Sequence, residues 1–186
     1  MPVTGVLRSL ALFPVKSLPG LTPRSAAVGP DGLVGDRGFA VVDAAGEVLA
    51  AKRHPRLEDL VLAGPPHEPR VEVPGGVPLA QYLQVPGAHV APVAGGARQV
   101  EALHLVSLRQ RAAPDGGDSR RANLVVEFGE DEPPTRDWAG AVCAVGDVQL
   151  QVVGVPRHCA GVFARVLTPG SVRTGDVVRL SVSTGG

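Results

Sequence analysis

Glycine and proline cut this chain into short apolar runs, and that pattern constrains the fold more than any other feature. Among the 186 residues are 24 glycines and 18 prolines. They are scattered between the runs rather than massed in one block. Glycine tolerates the positive φ of tight turns and proline presets a bend, so this is the punctuation of many strands and turns, not of a disordered tail. No long amphipathic helix and no internal repeat is found. A mainly β chain is expected, a barrel or a sandwich, with one domain or two small intimate ones.

Val3–Phe13 predicts a first strand, bounded by Pro14. Gly38–Asp43 and Glu47–Ala51 predict a hairpin around Ala44-Ala45-Gly46. Leu57–Leu62 is a further strand candidate, and residues 65–69 form a turn. Val71–Val73 and Val77–Leu83 are short and weakly patterned. Residues 84–99, rich in Pro, Gly and Ala, connect two halves. Leu103–Arg111 predicts a short helix that ends before Gly116-Gly117. Asn123–Phe128 predicts a strand, and 130–134 an acidic loop. Val142–Val145 and Val148–Val153 flank Gly146-Asp147, a strong hairpin signal. Val177–Val182 predicts a closing strand.

The 18 basic and 18 acidic residues cancel. Wholesale nucleic-acid or membrane-surface binding needs a basic excess, so neither partner is expected. Two cysteines cannot build a disulfide framework of any size, nor a four-thiolate zinc or iron–sulfur site. The N-terminus has neither the basic start nor the apolar length of a signal peptide, and no segment approaches the ~20 apolar residues of a membrane span. A cytoplasmic location is the default expectation.

Three basic clusters could carry chemistry. Phe13–Ser17 places Lys16 and Ser17 in a proline-restrained bend where charge and directed hydrogen bonds can hold a phosphate. Ala51–Leu57 offers Lys52, Arg53, His54 and Arg56, and an arginine fork suits phosphate oxygens. Ser119–Val126 leads into a strand with Arg120, Arg121 and Asn123. Each cluster has a plainer reading: a solvated loop lysine, a charged loop paired with Glu58, Asp59 or Asp36, and a basic strand entry. The histidines are dispersed and show no H-x-x-H or H-E-x-x-H spacing. No Walker A, G-x-G-x-x-G or G-x-S-x-G string occurs.

Cys159 stands in V-P-R-H-C, after the run Val148–Val153. Cationic neighbours such as Arg157 and His158 are expected to lower a thiol's pKa from ~8.5 and favour the thiolate. That thiolate could be a nucleophile or a metal ligand. Adjacent residues on an extended chain point to opposite sides, so Cys159 and His158 do not suit a catalytic dyad. Cys143, in A-V-C-A-V, reads as a small core residue.

Six strings occur in order: P-V-K-S (Pro14–Ser17), G-D-R-G-F-A-V-V-D (Gly35–Asp43), R-H-P-R-L (Arg53–Leu57), R-A-N-L-V-V (Arg121–Val126), W-A-G (Trp138–Gly140) and R-H-C (Arg157–Cys159). Together they resemble the MOSC family, the molybdenum-cofactor sulfurase C-terminal domain with its N-terminal β-barrel partner. Bacterial relatives of the mitochondrial amidoxime-reducing component look most similar. The resemblance spans nearly the whole chain. It implies a mainly β, MOSC-type β-barrel with a small N-terminal β subdomain and a few short helices, divided as 1–90 and 91–186.

The resemblance also implies a bound molybdenum cofactor, a pterin with a dithiolene and a phosphate. Cys159 matches the cysteine that ligates molybdenum and is the catalytic candidate. Lys16, Ser17 and Arg53 match residues holding the pterin and its phosphate. Arg121 and Asn123 match an R-x-N string at the pterin, and Arg157 is a further cofactor contact, with His158 beside it. Asp36 and Arg37 are expected to form a charge network supporting the turn at Gly35. Pyridoxal phosphate binding is a further family-level association. The implied activity is reduction of N-hydroxylated or related N–O small molecules, with electrons from a separate flavin or iron–sulfur protein. The alternative is a cofactor or sulfur carrier with a persulfide on Cys159. Departures from the family, including a short stretch between the halves and the lack of the ferredoxin-like iron–sulfur domain some relatives carry, touch electron delivery and pocket shape more than cofactor binding. His158 interrupts the family's R-C pair, and Arg120 and Ala122 replace the Phe and Pro of F-R-P-N.

Overall fold

Where apolar residues alternate between turns, the chain forms strands, and seven of these strands close on one another. The computed structural model describes residues 2–96, 101–113, 118–157 and 159–182. Among them the elements in chain order are β1 (Val3–Leu10), β2 (Val15–Lys16), β3 (Ser25–Gly29), β4 (Gly32–Leu33), β5 (Phe39–Val42), β6 (Val61–Ala63), β7 (Arg70–Glu72), α1 (Leu79–Leu83) and β8 (His89–Pro92). There follow β9 (Leu103–Ser107), α2 (Leu108–Ala112), β10 (Leu124–Phe128), β11 (Val142–Val145), β12 (Val148–Gly154), β13 (Val162–Thr168), β14 (Gly170–Arg173) and β15 (Val177–Ser181).

The closed barrel runs β1-β10-β9-β13-β12-β11-β15. Closure removes the unpaired edges that an open sheet would expose. Neighbours are antiparallel except β9 and β10, which pair in parallel from Leu124 opposite Leu105 to Val126 opposite Ser107. Leu7, Leu105, Leu124, Cys143, Leu150 and Leu180 are wholly buried in this unit. Trp138 is buried too. Its indole N–H donates to the Pro133 carbonyl at 3.0 Å, and its ring meets Phe128 edge-on, which accounts for the W-A-G string.

Two compact units divide the chain. The first holds the described residues of 1–11, 22–34 and 100–186, the second those of 12–21 and 35–99. The first contains the barrel and a small β14-β3-β4 sheet. The second contains the β2-β5-β8 sheet and the β6-β7 hairpin, around its own core of Val15, Leu18, Val41, Leu49, Leu57, Leu60, Leu83 and Ala88. This division differs from a single boundary after residue 90. The reason is β1, which pairs with both β10 and β15 and so belongs to the C-terminal strands.

Three further local expectations change. Leu103–Arg111 is not one helix: Leu103–Ser107 is a strand with every residue buried, and only Leu108–Ala112 is helical. Ser107 switches the chain between the two states, because its hydroxyl accepts from the Gln110 N–H while the Gln110 side chain accepts from the Ser107 N–H. Leu57–Leu62 begins as a 3-10 turn over Pro55–Asp59, turns extended at Leu60 and enters a strand at Val61, since Pro55 sits in the first turn. Val77–Leu83 resolves into α1, closed by Gln84 in the left-handed region. No helix among the described residues is long and apolar enough to cross a membrane.

Candidate functional site

The β12–β13 connection carries Cys159. Its thiol is free and half-buried. The next two residues tie it to β9. The Ala160 carbonyl lies 2.7 Å from Nε2 of the buried His104. A carbonyl only accepts, so this nitrogen carries the proton and donates. Gly161 has φ +93°, and a side-chain carbon there would stand 2.2 Å from the Leu105 carbonyl oxygen. Only glycine permits that approach. Neither anchor is signalled by sequence spacing, since His104 and Ala160 are 56 residues apart.

The electrostatics of Cys159 correct the sequence expectation. Burial, and then the negative charge of Asp118, push its thiol above the ordinary range. Arg157 is exposed to water, which screens its charge. His158 lies outside the described residues. Asp118 itself is held below the usual carboxylate range, first by hydrogen bonds from Arg120. Arg120 Nε and Nη2 each reach an Asp118 oxygen at 3.2 Å, and the Arg120 N–H donates to Oδ1 at 2.9 Å. Arg121 adds a smaller charge effect on the same carboxylate. Sequence reasoning missed Asp118, although an Asp two residues before an Arg is a recurrent local turn signal.

Arg121 is half-buried at the entry to β10. Asn123 is fully buried. Its Oδ1 accepts from the His104 backbone N–H at 3.1 Å, and its Nδ2 donates to the Ala11 carbonyl at 3.2 Å. Backbone bonds join the same residues in the opposite sense, from the Asn123 N–H to the His104 carbonyl and from the Ala11 N–H to the Asn123 carbonyl. The geometry thus makes Asn123 a clamp between the residues at the ends of β1, β9 and β10, inside the wall rather than on its surface.

The second unit carries Lys16, Ser17 and Arg53. Lys16 and Ser17 are half-buried, and Ser17 stands at φ +67°. A non-glycine residue in that region is strained and needs surrounding support. The G-D-R string anchors the chain at Phe13, before this bend. The Phe13 N–H donates to Asp36 Oδ1 at 2.7 Å, and the Arg37 N–H donates to the Phe13 carbonyl at 2.7 Å. Arg37 pairs with Asp36 at 3.1 Å, both side chains nearly inaccessible, and its guanidinium lies over the Phe13 ring. The expected Asp36–Arg37 network is therefore present, and it braces the bend that presents Lys16. Arg53 is exposed in the turn after Ala50. Arg56 supports the fold instead. It donates to the Tyr82 carbonyl at 2.7 Å and lies against the Tyr82 ring.

The candidate residues thus fall into two sets. Arg121, Asn123, Arg157 and Cys159 belong to the first unit, and Lys16, Ser17 and Arg53 to the second. Among the described residues, no group of three or more His, Cys, Asp or Glu side chains could hold a metal ion by itself.

Residues 4–114 match the family model of the MOSC N-terminal beta barrel domain. No curated protein matches the chain. Among solved structures, the crystal structure of the YUAD protein from Bacillus subtilis is similar, with a TM-score of 0.53, 15% identity and 99% of each chain covered. At that identity the likeness is one of fold.

Proposed function

The chain belongs to the MOSC N-terminal beta barrel family, within a domain family associated with the molybdenum cofactor, and from that premise we propose that it binds this cofactor and reduces N-hydroxylated or related N–O substrates in the cytoplasm. The activity is the one implied by the resemblance to bacterial relatives of the amidoxime-reducing component. The observation that carries the reading is the donor set. The barrel unit offers one free, half-buried thiol on a loop pinned at its next two residues. A single soft thiolate is too little to capture a bare metal, but it suits one that arrives with dithiolene sulfurs of its own.

When bound, the cofactor supplies the metal-centred two-electron change that takes an oxygen atom from the substrate. The protein's part is holding and orienting. Cys159 would hold the metal as a thiolate, so its binding would release the thiol proton. Arg121 and Arg157 offer cationic donors to the pterin side. Lys16, Ser17 and Arg53 offer charge and directed bonds to the pterin and its phosphate. Asn123 acts indirectly, by fixing the strand entry that follows Arg121. Electrons would come from a separate flavin or iron–sulfur protein, as the resemblance implies; two cysteines do not supply the four thiolates of a ferredoxin-type cluster.

Purification without oxygen tests this. Stoichiometric molybdenum and pterin, with reduction of an amidoxime when a donor is supplied, are the expected results. Cyanide-labile sulfur on Cys159 in a protein devoid of molybdenum would replace this reading with that of a sulfur carrier.

A further inference from the structure

We infer that His104 is the positioning residue for Cys159, holding the thiol's pose through the carbonyl of the residue next to it. Three observations converge on this imidazole. First, Nε2 donates to Ala160 at 2.7 Å from a side chain that is 3% exposed, where a hydrogen bond is not weakened by competing water. Second, the ring is held at both ends of its own residue. The backbone N–H of His104 donates to Asn123 Oδ1, and its carbonyl accepts from the Asn123 N–H at 2.8 Å. The ring also packs against Phe163 with centroids 5.3 Å apart. Third, β13 pairs with β9 so that Phe163 stands opposite His104. The donor that fixes the start of the loop's exit and the strand that receives it are therefore one rigid piece.

Gly161 completes the arrangement. Its backbone lies so close to the Leu105 carbonyl that no side chain fits. Cys159 is followed by one residue gripped by a hydrogen bond and one gripped by steric contact. A loop held in this way presents its thiol in one orientation. The order of the chain, Asn123 to His104 to Ala160, also gives the R-A-N string a purpose within the barrel wall.

The inference deepens the proposed function, since it rests on Cys159 being the working thiol, but its readout needs no cofactor. The metal-free full chain is prepared with Cys143→Ala, leaving Cys159 as the sole thiol. Alkylation by iodoacetamide is timed for this parent, for His104→Phe and for His104→Gln. Phe keeps the ring against Phe163 and lacks the donor, whereas Gln keeps an N–H donor. Loss of one hydrogen bond should raise the Cys159 rate about fivefold in His104→Phe and leave His104→Gln within about twofold of the parent. A parental rate in a folded His104→Phe overturns the inference, as does a His104→Gln rate equal to that of His104→Phe. Should His104→Phe fail to fold, isotope-labelled parent protein decides. A protonated Nε2 coupled through the hydrogen bond to the Ala160 carbonyl carbon upholds the inference, and a bare Nε2 overturns it. Failure of the molybdenum reading would leave all these rates unchanged.

Discussion

The two units hold their candidate residues by different means. In the barrel unit, the Cys159 loop is fixed by groups that are remote in sequence: His104 on β9 and the Leu105 carbonyl against Gly161. In the second unit, the Lys16–Ser17 bend is braced by a buried ion pair some twenty residues on, Asp36 with Arg37. The first device sets the direction of one atom. The second supports a charged bend while leaving Arg53 in water. A metal bond needs the former, since it is short and directional. A phosphate tolerates the latter, since charge acts over a longer range.

Substitutions can break or sharpen this contrast. Asp36→Ala should have the largest effect on stability. It removes the carboxylate that pairs with the buried Arg37 guanidinium and accepts from the Phe13 N–H, which costs about 3 kcal/mol. Chemical denaturation should show the loss, while Cys159 alkylation in native buffer stays at the parental rate. A parallel change in Cys159 would erase the distinction between the units. Gly161→Ala should cost about 3 kcal/mol, from positive φ and the clash with Leu105 together. Here the Cys159 rate must change as well, and an unaltered rate would show that the loop is not pinned there.

Weaker effects are expected where only charge is removed. Lys16→Ala or Arg53→Ala should lower cofactor retention about tenfold, the scale of one charge-assisted hydrogen bond. Titration calorimetry or retention on gel filtration would measure it, and added salt should shrink the difference between variant and parent. Asp118→Asn should have the smallest effect, and its sign follows from the electrostatics. Asp118 raises the thiol's pKa, so removing its charge lowers that pKa. Alkylation of the metal-free protein at neutral pH should therefore quicken, and its rise with pH should begin earlier. A slower reaction would reverse the assigned sign.

Much of the barrel is legible in the sequence. Gly146-Asp147 marks the β11–β12 turn, and the alternation in Val177–Ser181 marks a strand with one face inward. Legibility fails where burial removes the pattern. Leu103–Ser107 is buried at every position, so it has no period of two, and it runs without a break into the helix that Ser107 caps. The site divides along the same line. Cys159, Lys16 and Arg53 stand out as candidates because a thiol and cations are residue types suited to a metal and a phosphate. His104, Gly161 and Asp118 act through partners that only the folded chain supplies. Arg157 misleads for the reverse reason: it is near Cys159 in sequence but exposed, while a carboxylate 41 positions earlier (159 − 118) dominates the charge felt by the thiol.

The most direct measurement is molybdenum and pterin content per chain in anaerobically purified parent, Cys143→Ala and Cys159→Ser proteins. Cys143 is wholly buried and its thiol is pushed up to about 12 by desolvation, so it serves as the core control. The parent and Cys143→Ala should carry the cofactor, and Cys159→Ser should lack bound molybdenum. Full molybdenum content in Cys159→Ser would contradict the assignment of Cys159 as the metal ligand.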